Sequence, residues 1–325
     1  MRFWSAFVAA FCCVTSAALA VPVSIGGDYD VIVRRNFTVK GAHVHGSTAV
    51  GGSLVLKGNM SEFGNQQPTG TGPNVVVNQQ IVQGADARVN RDGIVQVGSL
   101  SPGQSVNGSH DIVGGGRNFY ANHTTVGPTG LDTESAFTDF IALSNALAGL
   151  SSTVSLDDFV SGTHPNTRLN LSFDWDNPFE VLNLTGNDLK SFSEINVANP
   201  GTSPSALIIN VDLSDYTGGA FVQNRNGQDA GADWILWNFY GASSLTIDRQ
   251  WYGTILAPEM TLTHLSNDLK GAVIVDSFIK ENGQVHRHRY QGSIPPPTSV
   301  PDGGVTAGMI VAGLGVLTLA RRWMR

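Results

Sequence analysis

The chain has only two cysteines, Cys12 and Cys13, and both stand near its start, ahead of Ala20. The rest of the chain therefore has neither a disulfide framework nor a thiol nucleophile. Charge is scarce as well, with Asp, Glu, Lys and Arg making up 14% of the residues. Of 19 basic residues, Arg2, Arg321, Arg322 and Arg325 lie at the two ends, which leaves 15 in the body against 25 acidic ones once Asp302 is set aside. A body near −10 without a basic patch argues against nucleic acid as a partner. Catalytic signatures are missing too. There is no Gly-x-Ser-x-Gly elbow, no His-Glu-x-x-His helix and no phosphate loop. Nor does any strand carry an Asp-Asp pair that could act as acid and base. The expectation is a protein that is not an enzyme and needs no cofactor, although a β-scaffold by itself does not rule out catalysis.

Glycine, by contrast, is plentiful, at 38 of 325 residues. Without collagen periodicity this points to many turns and a β-rich fold. The early body is a series of short apolar runs cut by glycine, among them 31–33, 37–39, 43–46, 49–52, 54–58, 74–77 and 93–98. Such brief runs are short for a hairpin sandwich and suit a stacked coil, each turn laying one strand on the previous one. One helix interrupts them. Asp132-Thr133-Glu134 supplies a cap and early acidic charge, and Phe137, Phe140, Ile141, Leu147 and Ala148 recur at helical spacing before Gly149. Later, Gly253-Thr254-Ile255-Leu256-Ala257 recurs as Gly271-Ala272-Val273-Ile274-Val275, and the step from one to the other is a reasonable length for one coil. The fold class expected is mainly β, a β-solenoid with one long packing helix.

The two ends read as targeting segments. Residues 1–20 carry Arg2, a short apolar core and the small-residue site Ala18-Leu19-Ala20, the pattern of a signal peptide cleaved after Ala20. The body then runs over 21–293 and a Pro-rich linker over 294–300. Val300, Pro301, Asp302, Gly303 and Gly304 come next, then an apolar run over 305–320 and the basic end Arg321-Arg322-Trp323-Met324-Arg325. That run reads as a transmembrane helix with its basic end in the cytoplasm. The order of motif, glycine-bearing helix and basic end over 301–325 resembles the PEP-CTERM sorting signals of bacteria, in the variant that opens Val-Pro-Asp-(Ser/Gly)-Gly. The resemblance implies an exosortase-type enzyme as a partner, cutting near Pro301. It also implies membrane attachment through the C-terminal helix before processing, and a final place on the cell envelope, cell surface or extracellular matrix.

A second resemblance covers most of 25–292. The segments Ile235-Leu236-Trp237-Asn238-Phe239-Tyr240-Gly241-Ala242, Trp251-Tyr252-Gly253-Thr254-Ile255-Leu256-Ala257-Pro258, Leu269-Lys270-Gly271-Ala272-Val273-Ile274 and Gly283-Gln284-Val285-His286 carry it, with Gly27 to Val31 and Ala49 to Leu54. Together they look like the choice-of-anchor A domain of bacterial surface proteins. The resemblance implies a β-solenoid with an accompanying helix and an adhesive role, and it supplies no catalytic residues.

Several constellations could carry binding chemistry. His43-x-His45 and His286-x-His288 each place two imidazoles on one side of a strand, two ligands of a metal site whose third is not evident. Asp174-x-Asp176-Asn177 clusters oxygens, but Pro178 breaks the calcium-loop pattern and a solvated turn is the plainer reading. Trp237, Tyr240, Trp251 and Tyr252, with Trp234 and Phe239, either pack a core or form a platform on which an extracellular polysaccharide could stack. Thr261-x-Thr263 is one candidate rung of an ice- or surface-binding ladder, with no matching rung one coil step to either side. Six Asn-x-Ser/Thr sequons, at Asn36, Asn59, Asn107, Asn122, Asn170 and Asn183, read as polar turn residues. The reading that gathers most of this is a surface adhesin or matrix component binding polysaccharide or a neighbouring cell. An ice- or surface-binding module is the alternative, and a glycan-active enzyme the third.

Overall fold

The computed structural model describes residues 21–22, 29–66, 72–162, 167–202 and 204–294. The signal peptide, residues 300–304 and the 305–320 helix lie outside the described residues. Among those described, no helix is long and apolar enough to cross a membrane.

Ten parallel strands form the backbone of the fold: β1 (Val31–Val33), β2 (Thr48–Val50), β3 (Val75–Gln83), β4 (Ile94–Ser99) and β5 (His123–Val126), then β6 (Phe179–Thr185), β7 (Ala206–Asp212), β8 (Ile235–Tyr240), β9 (Thr254–His264) and β10 (Val273–Lys280). Their order across the sheet is β5-β4-β3-β2-β1-β10-β9-β8-β7-β6. The chain thus starts in the middle, builds outward to β5, crosses to the far end and builds back until β10 joins β1. The recurrence seen in sequence is the step between two neighbours, with Ile255 opposite Val273 and Ala257 opposite Val275.

From many of these strands the chain turns onto a second face and then a third. The second face holds Phe37–Lys40, Leu54–Lys57, Ser244–Ile247 and the far halves of β3, β9 and β10. These three long strands, of nine, eleven and eight residues, run through the corner without a break. That departs from the uniformly short runs expected, because no glycine interrupts them there. The third face holds His43–Val44, Ser61–Phe63, Ala87–Val89, Trp251–Tyr252, Leu269–Lys270 and Gln284–His286. Alternation sends one side chain in two inward, so that Val31, Phe37, Val44, Leu54, Phe63, Leu262 and Phe278 share one interior with Trp237 and Trp251.

Helix α1 (Thr133–Ala148) joins β5 to the far half of the fold. The Asp132 side chain caps it by accepting from Ser135 N at 3.0 Å, as the sequence implied. Phe137, Phe140 and Leu147 pack on the outside of the first face against Ile208, Leu236, Leu256 and Ile274, and Tyr290 and Ile294 complete that layer. An asparagine ladder runs under the helix end. Asn238, Asn210 and Asn183 stand opposite one another on β8, β7 and β6. They donate to the carbonyls of Ser144, Leu147 and Leu150 at 2.9, 2.7 and 2.8 Å and to one another along the ladder at 2.9 Å. The sheet thus holds the end of the helix by its main-chain carbonyls. The outer edges are covered too. Thr153 and Ser152 accept from the β6 backbone at 2.8 and 3.0 Å, and Ser109 O accepts from Thr124 N of β5 at 2.8 Å. These contacts occupy edges that would otherwise be open to further strands.

Candidate functional site

With α1 packed on the first face and paired charges lining the outer side of the third, the outer side of the second face is an open sheet surface without such pairs along its centre. Along it, Thr246, Thr263, Ile279, Thr38, Val55 and Val82 stand in one aligned column, each on a neighbouring strand. Ser244, Thr261 and Ser277 form a second, shorter column. At a strand spacing of about 4.8 Å the long column extends roughly 24 Å. Neither column carries a charge. Charge stands at the margins, in Lys40 bonded to Glu281 at 2.6 Å on one side and Arg35 paired with Asp276 at 3.2 Å on the other. Of the most exposed large hydrophobics, Val82, Met60, Leu265 and Val222 lie on this face or at its corners, while Tyr120 and Val126 lie near the β5 end. Beneath the columns, Leu245, Leu262, Phe278, Phe37 and Leu54 fill the interior, with Phe37 and Phe278 stacked at 4.8 Å. The backing is therefore rigid.

Thr261-x-Thr263 does have partners, which corrects the expectation of an isolated rung. Ser244 and Thr246 flank it on one side, and Ser277 and Ile279 on the other. Neither pair stands one first-face step away, and the cause is a bulge. β9 uses four steps from Ala257 to Thr261 where β10 uses two from Val275 to Ser277, so the step of the first face does not carry onto the second.

The aromatic candidates are placed differently from a stacking platform. Trp237 and Trp251 are 1% and 0% exposed and pack at 4.8 Å, and Tyr252 is 6% exposed. Trp237 donates to Tyr252 O at 2.7 Å, and the Tyr252 hydroxyl to Gly227 O at 3.2 Å. The indoles of Trp237 and Trp251 fill the interior because β8 and the 251–252 strand point them inward, and Tyr240 and Trp234 are half-exposed. Trp234 closes a short 3-10 turn ahead of β8.

The histidines line the third face, where charges are paired. His43 Nδ1 meets Glu62 at 3.3 Å, His286 Nε2 meets Asp268 at 3.1 Å and His288 Nδ1 meets Asp233 at 3.1 Å. The fold brings His45 and His286 together from the two motifs, with ring centroids 4.5 Å apart. Burial, then the like charges of His286 and His43, hold the His45 ring below the usual imidazole value. Among the described residues, no three His, Cys, Asp or Glu side chains are grouped to hold a metal ion. Around the 174–177 turn, Asn177 donates to Glu180 at 2.7 Å and its carbonyl accepts from Ser205, as in a tied turn.

Residues 22–287 match the family model described as "Putative Ice-binding-like adhesive domain". The chain belongs to this family. The matched span takes in every residue of both columns on the second face. No curated protein matches the chain. Among solved structures, an ice-binding protein from an Antarctic biological consortium is similar at 12% identity and a TM-score of 0.32, over 82% of this chain and 95% of that one. An ice-binding protein from an Arctic yeast is similar at 10% identity and 0.33, over 86% and 95%. An ice-binding protein domain of Shewanella frigidimarina is similar at 10% identity and 0.30, over 82% and 98%. At TM-scores this low the likeness decides neither topology nor ligand.

Proposed function

We propose that this chain is an adhesive protein of the cell surface or extracellular matrix, built as a β-solenoid and gripping an extended, uncharged surface with its second face. One observation carries the reading: the open face presents aligned hydroxyl and methyl groups on a rigid backing, with charge only at its margins. Such a face suits a flat, repetitive partner, an ordered polysaccharide, over a small solute, which calls for a concave site. Ordered water on ice is the second reading, favoured by the same alignment and by the family's description. No catalytic step is assigned to it. Export by the 1–20 leader and retention by the 301–325 signal, with processing by an exosortase-type enzyme, fit this role, because an adhesive face needs a tether.

Co-sedimentation with insoluble cellulose and chitin, alongside partitioning into growing ice, tests the face. Thr38→Lys combined with Thr263→Lys puts two cations in the column and should weaken binding at least about tenfold. The melting temperature should stay unchanged, and Arg88→Gln on the third face should bind normally. Undiminished binding by the double variant would overturn the assignment of the face. Partition into ice without polysaccharide binding would select the second reading. Intact mass and fractionation of the chain from its own host, against a form lacking 300–325, tests the tether. A native form that keeps its tail would sink it.

A further inference from the structure

Three Asn-Gly pairs occur in the chain, at 107–108, 226–227 and 282–283, and the fold treats them differently. Asn226 is held in a strand paired with Glu194–Val197, and its amide donates to Glu194. Asn107 lies in a turn whose carbonyl accepts only a backbone amide, from His110. Asn282 is exposed, and Gly283 N donates to Asn282 Oδ1 at 2.8 Å. The Asn282 side-chain carbonyl carbon, one bond from that oxygen, is thereby held against the backbone nitrogen that would attack it. Gly283 has φ +78, and a Cβ there would lie 1.8 Å from Asn267 O, so the fold requires glycine directly after Asn282.

The main-chain carbonyl between the two residues is the decisive feature. Asn282 O points inward and accepts from Lys280 Nζ, a fully buried amine. Lys280 also donates to Asn267 O at 2.8 Å and to His264 Nδ1 at 2.7 Å, which fixes its position. Loss of the Gly283 amide proton puts negative charge on Asn282 O, where this donor waits in a dry setting, an arrangement like an oxyanion hole.

We propose that Asn282-Gly283 is a self-modifying site, at which the folded chain cyclises Asn282 to a succinimide and opens it to aspartyl and isoaspartyl forms. Solvent hydroxide takes the Gly283 N–H proton, and the nitrogen forms a bond to Asn282 Cγ. The Cγ–Nδ2 bond then breaks and the amide leaves as ammonia with a proton from solvent. Water hydrolyses either carbonyl of the ring, so that the net change is one water taken up and one ammonia released. The isoaspartyl product lengthens the main chain by one methylene. It does so at the corner where Gly283 O accepts from His43 N at 3.1 Å, the junction between the last coil and the first.

The test is incubation of the full chain at one pH no higher than neutral, where Lys280 keeps its charge, followed by peptide mapping and isoaspartyl-specific methyl labelling. The native protein should modify Asn282 several-fold faster than Asn107, with Asn226 slowest, and in urea the three rates should converge. Lys280→Met should remove most of the Asn282 excess while leaving the Asn107 rate unchanged. A native Asn282 rate no higher than that of Asn107 overturns the proposal. So does an excess that persists in urea, since local sequence would then explain it. Should Lys280→Met fail to fold, the native-to-urea ratio decides the proposal without it.

Discussion

Lys280 and His264 lie inside the fold at 0% exposure, where lone ionisable groups are costly, and their bonds explain how they stay there. His264 Nε2 faces Arg249 O at 2.8 Å and Nδ1 faces the Lys280 amine, so the ring is neutral with its proton on Nε2. The carbonyls of residues 249, 267 and 282 come from three successive turns, which this pair ties together. Burial first, then the Lys280 charge, pushes His264 down to about 3, and burial pushes Lys280 down to about 7. The sign follows from which state takes the proton. Below 6.5 the unfolded chain protonates its histidine while the folded chain does not until about 3, so stability falls as the pH falls across that window. The loss should reach about 4–5 kcal/mol at the bottom of the window. Lys280 acts with the same sign between about 7 and 10.5. Urea unfolding at pH 7, 5 and 4 checks the histidine. His264→Gln, which keeps one donor and one acceptor, should flatten much of the slope, and an equal slope in both proteins would refute the assignment. None of this was legible in sequence, where alternation puts His264 on the side of Leu262 and Lys280 on the side of Phe278 but does not show that the two would meet. Of the two readings the sequence left open for Trp237, Trp251 and Tyr252, core packing and a stacking platform, their burial fits the first.

Strands and helix were more legible than their alignment. Asp132 and Gly149 mark the ends of α1, and the apolar spacing of Phe137, Phe140 and Leu147 names its buried side. The asparagine ladder beneath it escapes sequence reading because its rungs, Asn183, Asn210 and Asn238, stand 27 and 28 residues apart, a step different from that of the one repeat visible in the sequence. The Thr263 column escapes for the related reason that a bulge at 258–260 desynchronises two faces of the same turn. The ladder has an energetic consequence. Asn210→Leu removes the donor to Leu147 O and leaves the buried Asn238 short of a partner, while the exposed Asn183 loses a donor that water can replace. We expect a loss of about 2–3 kcal/mol, the cost of stranding buried polar groups. Thr138→Ala on the exposed side of the same helix should change stability by no more than about 0.5 kcal/mol. Denaturant midpoints compare the two, and equal effects would mean that the ladder is not what seats the helix.

The family resemblance conveyed the β-rich body, but the order in which its turns stack is not written in any motif. That order makes β1 and β10 neighbours, although they stand near opposite ends of the body, and so leaves a seam between the first turn and the last. Much of the ionic pairing lies across it. Arg35 meets Asp276 at 3.2 Å, Lys40 meets Glu281 at 2.6 Å, and Arg289 grips Asp30 with Nε at 2.7 Å and Nη2 at 2.9 Å. The first two are partly solvated and each is worth at most about 1 kcal/mol. Asp30 differs, being 1% exposed and backed by Ser47 N at 3.0 Å, with Gly46 lacking the Cβ that would strike it. Arg289→Met would leave the buried carboxylate with Ser47 N and the longer pair to Arg287 at 4.0 Å, at a cost of about 3 kcal/mol, whereas Lys40→Met should cost no more than about 1 kcal/mol. Because one interior runs through both halves, the loss should be shared. Hydrogen exchange of Arg289→Met should show amides of β2 to β4 and of β7 to β9 losing protection by the same free energy. If one half keeps its original protection while the other weakens, the seam joins two units that fold independently. Asp30 and Arg289 would then be a local clasp with no hold on the whole.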